Sequence, residues 1–146
     1  MTNKILYAGV LVSLTALVLA ALGKGFWGGE VMKFHWTERL FFGICHQIPE
    51  RTFFVNDLPM AVNSRCFGIF AGLLAGWAAI PMLTPGLRGG KWPLRILVMA
   101  IAIQFIDYSG NLLQWWSNTN ESRFLLGIIL GFSGPLNIAS MLYPQS

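Results

Sequence analysis

Cys45 and His46 are adjacent, and Cys66 follows Ser64 and Arg65 at the head of an apolar run. Thiolate and imidazole are ligands for zinc, copper and iron, and a protein site supplies three or four of them. Cys45, His46 and Cys66 make three, with Asp107 or His35 as a fourth. Neighbouring ligands do not share a helix face, so residues 45–46 must lie on a turn, which the following Pro49 favours. The paired Cys-x-x-Cys spacing of strong zinc motifs is missing from the sequence. Two simpler readings stand beside the metal. In an oxidising compartment Cys45 and Cys66 would form a disulfide closing a loop of about 20 residues, worth roughly 3 kcal/mol. Alternatively they are buried free thiols that pack as small apolar groups.

A second set is cationic. Arg51, Arg65 and Arg123, with His46, Thr52 and Asn120, suit a phosphate or carboxylate, because guanidinium forks bind such groups bidentately and helix N-termini favour anions. The anion available at membrane depth is a lipid headgroup or a prenyl diphosphate. The plainer alternative is arginines that snorkel to bulk lipid. A third set is a stripe: Gln104, Asp107, Asn111 and Gln114 recur at intervals of three or four, which at about 100° per residue puts them on one helix face. A carboxylate in a membrane helix needs a partner. Arg65 and Arg123 are the candidates for Asp107, either to build a wet cavity or simply to tie helices together.

The elements that must carry these residues follow from the distribution of charge. The 146 residues include 10 Lys or Arg and 6 Asp or Glu, and charged residues are 11% of the chain. A soluble domain has about 25%. Four long runs, residues 5–23, 66–87, 96–120 and 124–146, hold one charge between them, Asp107. About 18 apolar residues suffice to cross a hydrocarbon core of about 30 Å. These observations exclude a soluble enzyme, a disordered tail and a nucleic-acid binder, since cations scattered through loops make no basic face. The expected fold is all-α: one integral membrane domain over residues 1–146, with four transmembrane helices at about 5–22, 66–84, 95–116 and 124–143.

The first run is longer than the 7–15 residues of a signal-peptide core and is read as a retained span. Pro81 and Pro85 are expected to close the second span. Trp115 and Trp116 suit the headgroup level at the end of the third. Pro135 lies within the fourth. Glycines at spacing four, Gly68, Gly72 and Gly76 in the second span and Gly127 and Gly131 in the fourth, suit close helix approach. The long segment between spans one and two is polar but rich in aromatics, which places it along the interface, with a short helix at 37–44. The cations of the two sides are nearly balanced. The compact basic loop of Arg88, Lys91 and Arg95 tips the termini inward. In this topology the end of the long segment, the far half of span three and residues 118–123 all meet on one side.

The segments CHQIPERT (Cys45–Thr52) and SRCFGIFAG (Ser64–Gly72) resemble a family of small prokaryotic membrane proteins catalogued as domain of unknown function 2085. The resemblance covers about residues 40–131. It includes the intramembrane Asp107 and the Thr119, Asn120, Arg123 segment before the last span. It brings no established activity. Family members carry a further cysteine where this chain has Asn63, Tyr in place of Phe70 and Ser in place of Thr52. The resemblance thus implies an open three-ligand version of a Cys3His site.

No nucleophile elbow, phosphate-binding loop or His-Glu-x-x-His motif is present in the sequence. The expected function is an integral membrane binding protein with a polar site at one interface. The first reading is a transition metal such as zinc held by Cys45, His46 and Cys66. Arg51, Arg65, Asp107, Asn111, Asn120 and Arg123 form the adjoining polar site. The alternatives are an enzyme or carrier acting on an anionic or quinone-like lipid, and an accessory subunit of a larger membrane complex. The expected partners are membrane lipid and other membrane subunits. The expected location is the cell membrane, with several spans.

Overall fold

The computed structural model describes residues 4–30, 33–87 and 90–142. Arg88 and Tyr143, used above for the basic loop and the end of span four, lie outside them. The architecture is all-α, with four helices long and apolar enough to cross a membrane: α1 (Lys4–Ala21), α4 (Ser64–Leu87), α5 (Trp92–Leu112) and α6 (Asn120–Leu142). Between α1 and α4 the chain forms two short helices, α2 (Lys24–Trp27) and α3 (Trp36–Phe41), a 3-10 turn (Pro49–Arg51) and a hairpin of β1 (Phe54–Val55) and β2 (Leu58–Pro59).

The helices α4 and α6 are the centre of the bundle. Gly68, Gly72 and Gly76 on α4 face the backbone of Phe124 to Phe132 on α6, while Gly127 and Gly131 face the backbone of Arg65 to Ile69. The two glycine ridges interlock, as spacing four requires. Lipid offers no hydrophobic drive between helices, so this close backbone approach and its dispersion contacts must supply the attraction. At the far end, Ile80 and Leu87 of α4 pack on Leu136 and Ala139 of α6. There the Asn137 amide donates to the Pro93 carbonyl of α5 at 2.9 Å. Helix α1 leans on α4 through stacked Tyr7 and Trp77 rings and a bond from Trp77 Nε1 to the Tyr7 carbonyl at 3.1 Å. The outer faces, including Val98, Met99, Ile101, Phe105 and Ile106 of α5, are exposed and apolar, as a lipid-facing surface must be.

The segment between α1 and α4 is a cap folded on the helix ends. Ala20, Ala21, Phe41, Cys45, Ala61 and Val62 form its core, against Phe67 and Phe70 of α4. Phe53 packs on Phe124 of α6, and the other aromatics, Phe26, Trp27, Phe34, Trp36, Phe42 and Phe54, are exposed, the arrangement expected of a segment lying in the headgroup layer. The short helix expected at 37–44 is α3. His35 caps it: the His35 side chain accepts from the Thr37 N–H, and Glu38 accepts from the His35 N–H. Lys24, a cation of the long segment, is buried with Glu38 at 3.0 Å. Asn56 and Asp57 both have positive φ, 49° and 61°, the primed turn that two-residue hairpins prefer.

The long helices begin up to four residues earlier than the sequence reading, α6 at Asn120 rather than 124, and α4 and α5 end elsewhere by three or four residues. Helix α4 runs through Pro81 and Pro85 to Leu87, because proline is tolerated within membrane helices where nearby groups re-satisfy the backbone. The carbonyls left without helical donors are those of Trp77 and Pro81, and between the two prolines the Thr84 hydroxyl bonds back to the Ile80 carbonyl at 2.7 Å. Helix α5 ends at Leu112, not Trp116. Gln114 takes a left-handed conformation, φ 59°, and the N–H groups of Gln114 and Trp115 close on the carbonyls of Asn111 and Gly110 at 3.3 and 2.9 Å. This is a Schellman stop, and it turns the tryptophans back so that Trp116 covers Gly110.

Candidate functional site

The first turns of α4 and α6, the last turns of α5 and the 3-10 turn of the cap meet at one end of the bundle. Each contributes charged or amide groups because each apolar run ends there. Arg65 is the second residue of α4, Arg123 the fourth of α6, Arg51 the last of the 3-10 turn, and Asp107 and Asn111 lie on α5. A cavity of about 150 Å³ opens between them, lined by Arg51, Asn63, Arg65, Cys66, Tyr108, Asn111, Asn118 and Arg123.

Asp107 has the partner that its depth demanded. Its Oδ2 accepts from Arg65 Nη2 at 2.6 Å and from the Asn118 amide at 2.6 Å. Asn111 Oδ1 in turn accepts the Asn118 N–H at 3.4 Å, which pins the α5–α6 connection over the site. Asn120 Oδ1 accepts from Arg123 Nη1 at 3.3 Å and from the Ser64 hydroxyl at 3.4 Å, and its amide donates to the Thr52 carbonyl at 3.3 Å. Asn120 thus joins α6 to α4 and the cap. It faces a neighbouring hollow of about 390 Å³ rather than the arginine cavity.

The charges at the cavity are unequal. Of the three arginines only Arg65 forms an ion pair among the described residues. The charges of Arg51, Arg65 and Asp107 all reach Arg123. Arg65 Nε is buried without a hydrogen-bond partner, and so is Gln104 Nε2 one turn deeper on α5. Three guanidinium groups thus stand against one carboxylate, with a donor left over.

The stripe on α5 is shorter than its spacing suggested. Gln104, Asp107 and Asn111 are half-buried, whereas Gln114 lies beyond the Schellman stop and is exposed. Asn118 and Tyr108 were not singled out by sequence. The position of Asn118 just ahead of Asn120 and Arg123, and of Tyr108 beside Asp107, was the available signal. Asn63, where the family resemblance implied another cysteine, accepts from the Ile48 N–H at 2.8 Å and the Thr52 hydroxyl at 3.1 Å. It ties the 48–52 turn to α4.

The cysteines touch. Cys45 Sγ lies 3.2 Å from Cys66 Sγ, and both are free thiols. The expected metal set does not form: among the described residues no three His, Cys, Asp or Glu side chains gather at one point. His46 is exposed beside a separate hollow lined by Phe42 to His46, and Asp107 is committed to Arg65 and Asn118. Adjacent residues on a turn point apart, so Cys45 turns inward and His46 outward.

Inside this pocket the Cys45 thiol is held down at about 6. The main cause is the Cys66 S–H, which donates to the Cys45 thiolate; burial opposes it, and the Asn63 N–H at 3.2 Å assists. Modification of Cys45 by iodoacetamide, followed by peptide mass spectrometry, should therefore show a midpoint near pH 6, against roughly 8.5 for an unperturbed thiol. Cys66→Ala removes the largest cause and should move the midpoint upward. A wild-type midpoint above pH 8 would contradict this geometry.

The family described as "Predicted membrane protein (DUF2085)" matches residues 45–135, from Cys45 through Pro135 of α6. An uncharacterised protein of Methanocaldococcus jannaschii is 38% identical over 91 residues, which are 62% of this chain and 58% of that protein. This chain thus matches little more than half the length of that relative. No solved structure matches. The matched stretch contains the thiol pair, all three arginines and Asp107, and the chain belongs to the DUF2085 family of predicted membrane proteins.

Proposed function

We propose that this is a multi-pass protein of the cell membrane, a single domain whose interfacial cavity binds the anionic headgroup of a lipid, with a phosphate ester as the chemical class. One observation carries the reading: Arg51, Arg65 and Arg123 line one cavity, and among the described residues Asp107, beside it, is the one carboxylate ion-paired with any of them. Two features add to it. The cavity stands at the N-termini of α4 and α6, whose dipoles favour negative charge, and Arg65 Nε is an unused buried donor. A volume of about 150 Å³ compares with about 10–15 Å³ for one water on the same measure. The space takes a phosphate group with a few waters and leaves acyl chains to the lipid-facing grooves.

The test uses the full chain in mild detergent and short-chain phosphatidic acid as probe, with phosphatidylcholine as the zwitterionic comparison, measured by native mass spectrometry. Arg123→Ala should weaken phosphatidic acid binding about 10- to 100-fold, since a hydrogen bond to a charged group is worth about 1.5–3 kcal/mol. Arg51→Ala should have a smaller effect, because Arg51 is exposed. Equal affinity for both lipids, unchanged by either substitution, would overturn the reading.

A further inference from the structure

Cys45 and Cys66 are the two cysteines of the chain. They come from different elements, the cap and the first turn of α4, and the anion reading does not use them as a pair. Their sulfurs lie 3.2 Å apart, so a shift of about 1 Å would bring them to the roughly 2.05 Å of a bond. The surrounding side chains, Phe41, Ala61, Val62, Phe67 and Phe70, are apolar and hold both sulfurs in place. Each cysteine borders a hollow: Cys45 one of about 170 Å³ beside His46, and Cys66 the arginine cavity. The Asn63 N–H points at Cys45 Sγ at 3.2 Å, and Cys66 stands at a helix N-terminus. The Asn63 bond favours a thiolate at Cys45, with Cys66 as the protonated partner.

We propose that Cys45 and Cys66 form a reversible two-electron dithiol centre that exchanges with small disulfides. Cys45, as the thiolate, attacks one sulfur of an incoming disulfide; that bond breaks, and the departing half leaves as a thiolate that takes up a proton. Cys66 then gives up its proton and attacks the Cys45 sulfur, forming the Cys45–Cys66 bond and expelling the second half as a thiol. The protein loses two electrons and two protons, and the small disulfide leaves as two thiols. The reverse sequence reduces the pair. Ionisation of Cys45 at neutral pH supports its part as the attacking group.

The experiment equilibrates the full-length protein in mild detergent with glutathione at graded ratios of its thiol and disulfide forms. Free thiols are then blocked with maleimide, and intact mass is measured. The expected result is two species, the dithiol carrying two maleimides and the disulfide carrying none and two hydrogen atoms lighter than the unlabelled dithiol; the ratio of disulfide to dithiol follows the glutathione disulfide concentration divided by the square of the glutathione thiol concentration and returns on reversal. No other cysteine confuses the count. Cys66→Ser should trap a glutathione adduct on Cys45, whereas Cys45→Ser should acquire one at least tenfold more slowly. Thiols that stay free throughout, a wild-type adduct that is never resolved, or a disulfide that does not reopen would each overturn the proposal.

Discussion

Asp107→Ala is expected to lower the stability of the protein by about 3 kcal/mol, the lower end of what removal of one member of a buried ion pair costs. The lower end applies because the Arg65 and Asp107 side chains retain 26% and 14% exposure. The loss has two parts. Asp107 Oδ2 receives both Arg65 and Asn118, so its removal strands two donors. It also leaves three cations at one cavity without a counter-charge. The double substitution Arg65→Ala with Asp107→Ala should regain part of the loss, since it leaves neither charge stranded. The same single variant should bind phosphatidic acid more tightly per folded molecule, because the cavity becomes more positive. Unfolding in mild detergent checks the first effect and native mass spectrometry the second. An Asp107→Ala protein that unfolds like wild type would show that the pair contributes nothing.

The second large effect lies in the ridge. A methyl group at Gly72 would sit 2.8 Å from the Phe132 nitrogen and 3.0 Å from the Gly131 Cα, and one at Gly76 would sit 2.6 Å from the Phe132 carbonyl oxygen. These neighbours are backbone and cannot swing aside as a side chain can. Overpacking of this sort costs about 1–3 kcal/mol, so Gly72→Ala should destabilise by that amount. Gly72→Leu should separate α4 from α6. Because Arg65 and Arg123 ride on the first turns of those helices, the leucine variant should also lose the anion site without any arginine being altered. Gly9→Ala is the control: nothing lies within 4 Å of its new methyl, and better helix propensity should leave stability equal or slightly higher. If Gly72→Ala and Gly9→Ala unfold alike, the ridge is not what joins the helices.

The local features of this chain are legible without coordinates. Runs nearly free of charge mark the four long helices. Glycines at spacing four mark the ridge, and the lone intramembrane carboxylate marks the end of the bundle where polar groups converge. Even the corrections have local causes: Pro81 and Pro85 were read by rules suited to water, and Gln114 stops α5 through a backbone conformation that no spacing announces.

Choices between elements are another matter. Periodicity assigned Asp107 a face but left Arg65 and Arg123 equal as partners; the docking of α4 and α5 on α6 brought Arg65 to Asp107 and left Arg123 to Asn120. Adjacent Cys45 and His46 read as two ligands of one metal, yet the turn directs one sulfur to Cys66 and the imidazole outward. Hydropathy and helical spacing act within one segment and are therefore written along the chain. A partner across segments depends on the distance and angle at which two surfaces meet, and those were set only when the glycine ridges of α4 and α6 closed and the cap folded over their ends.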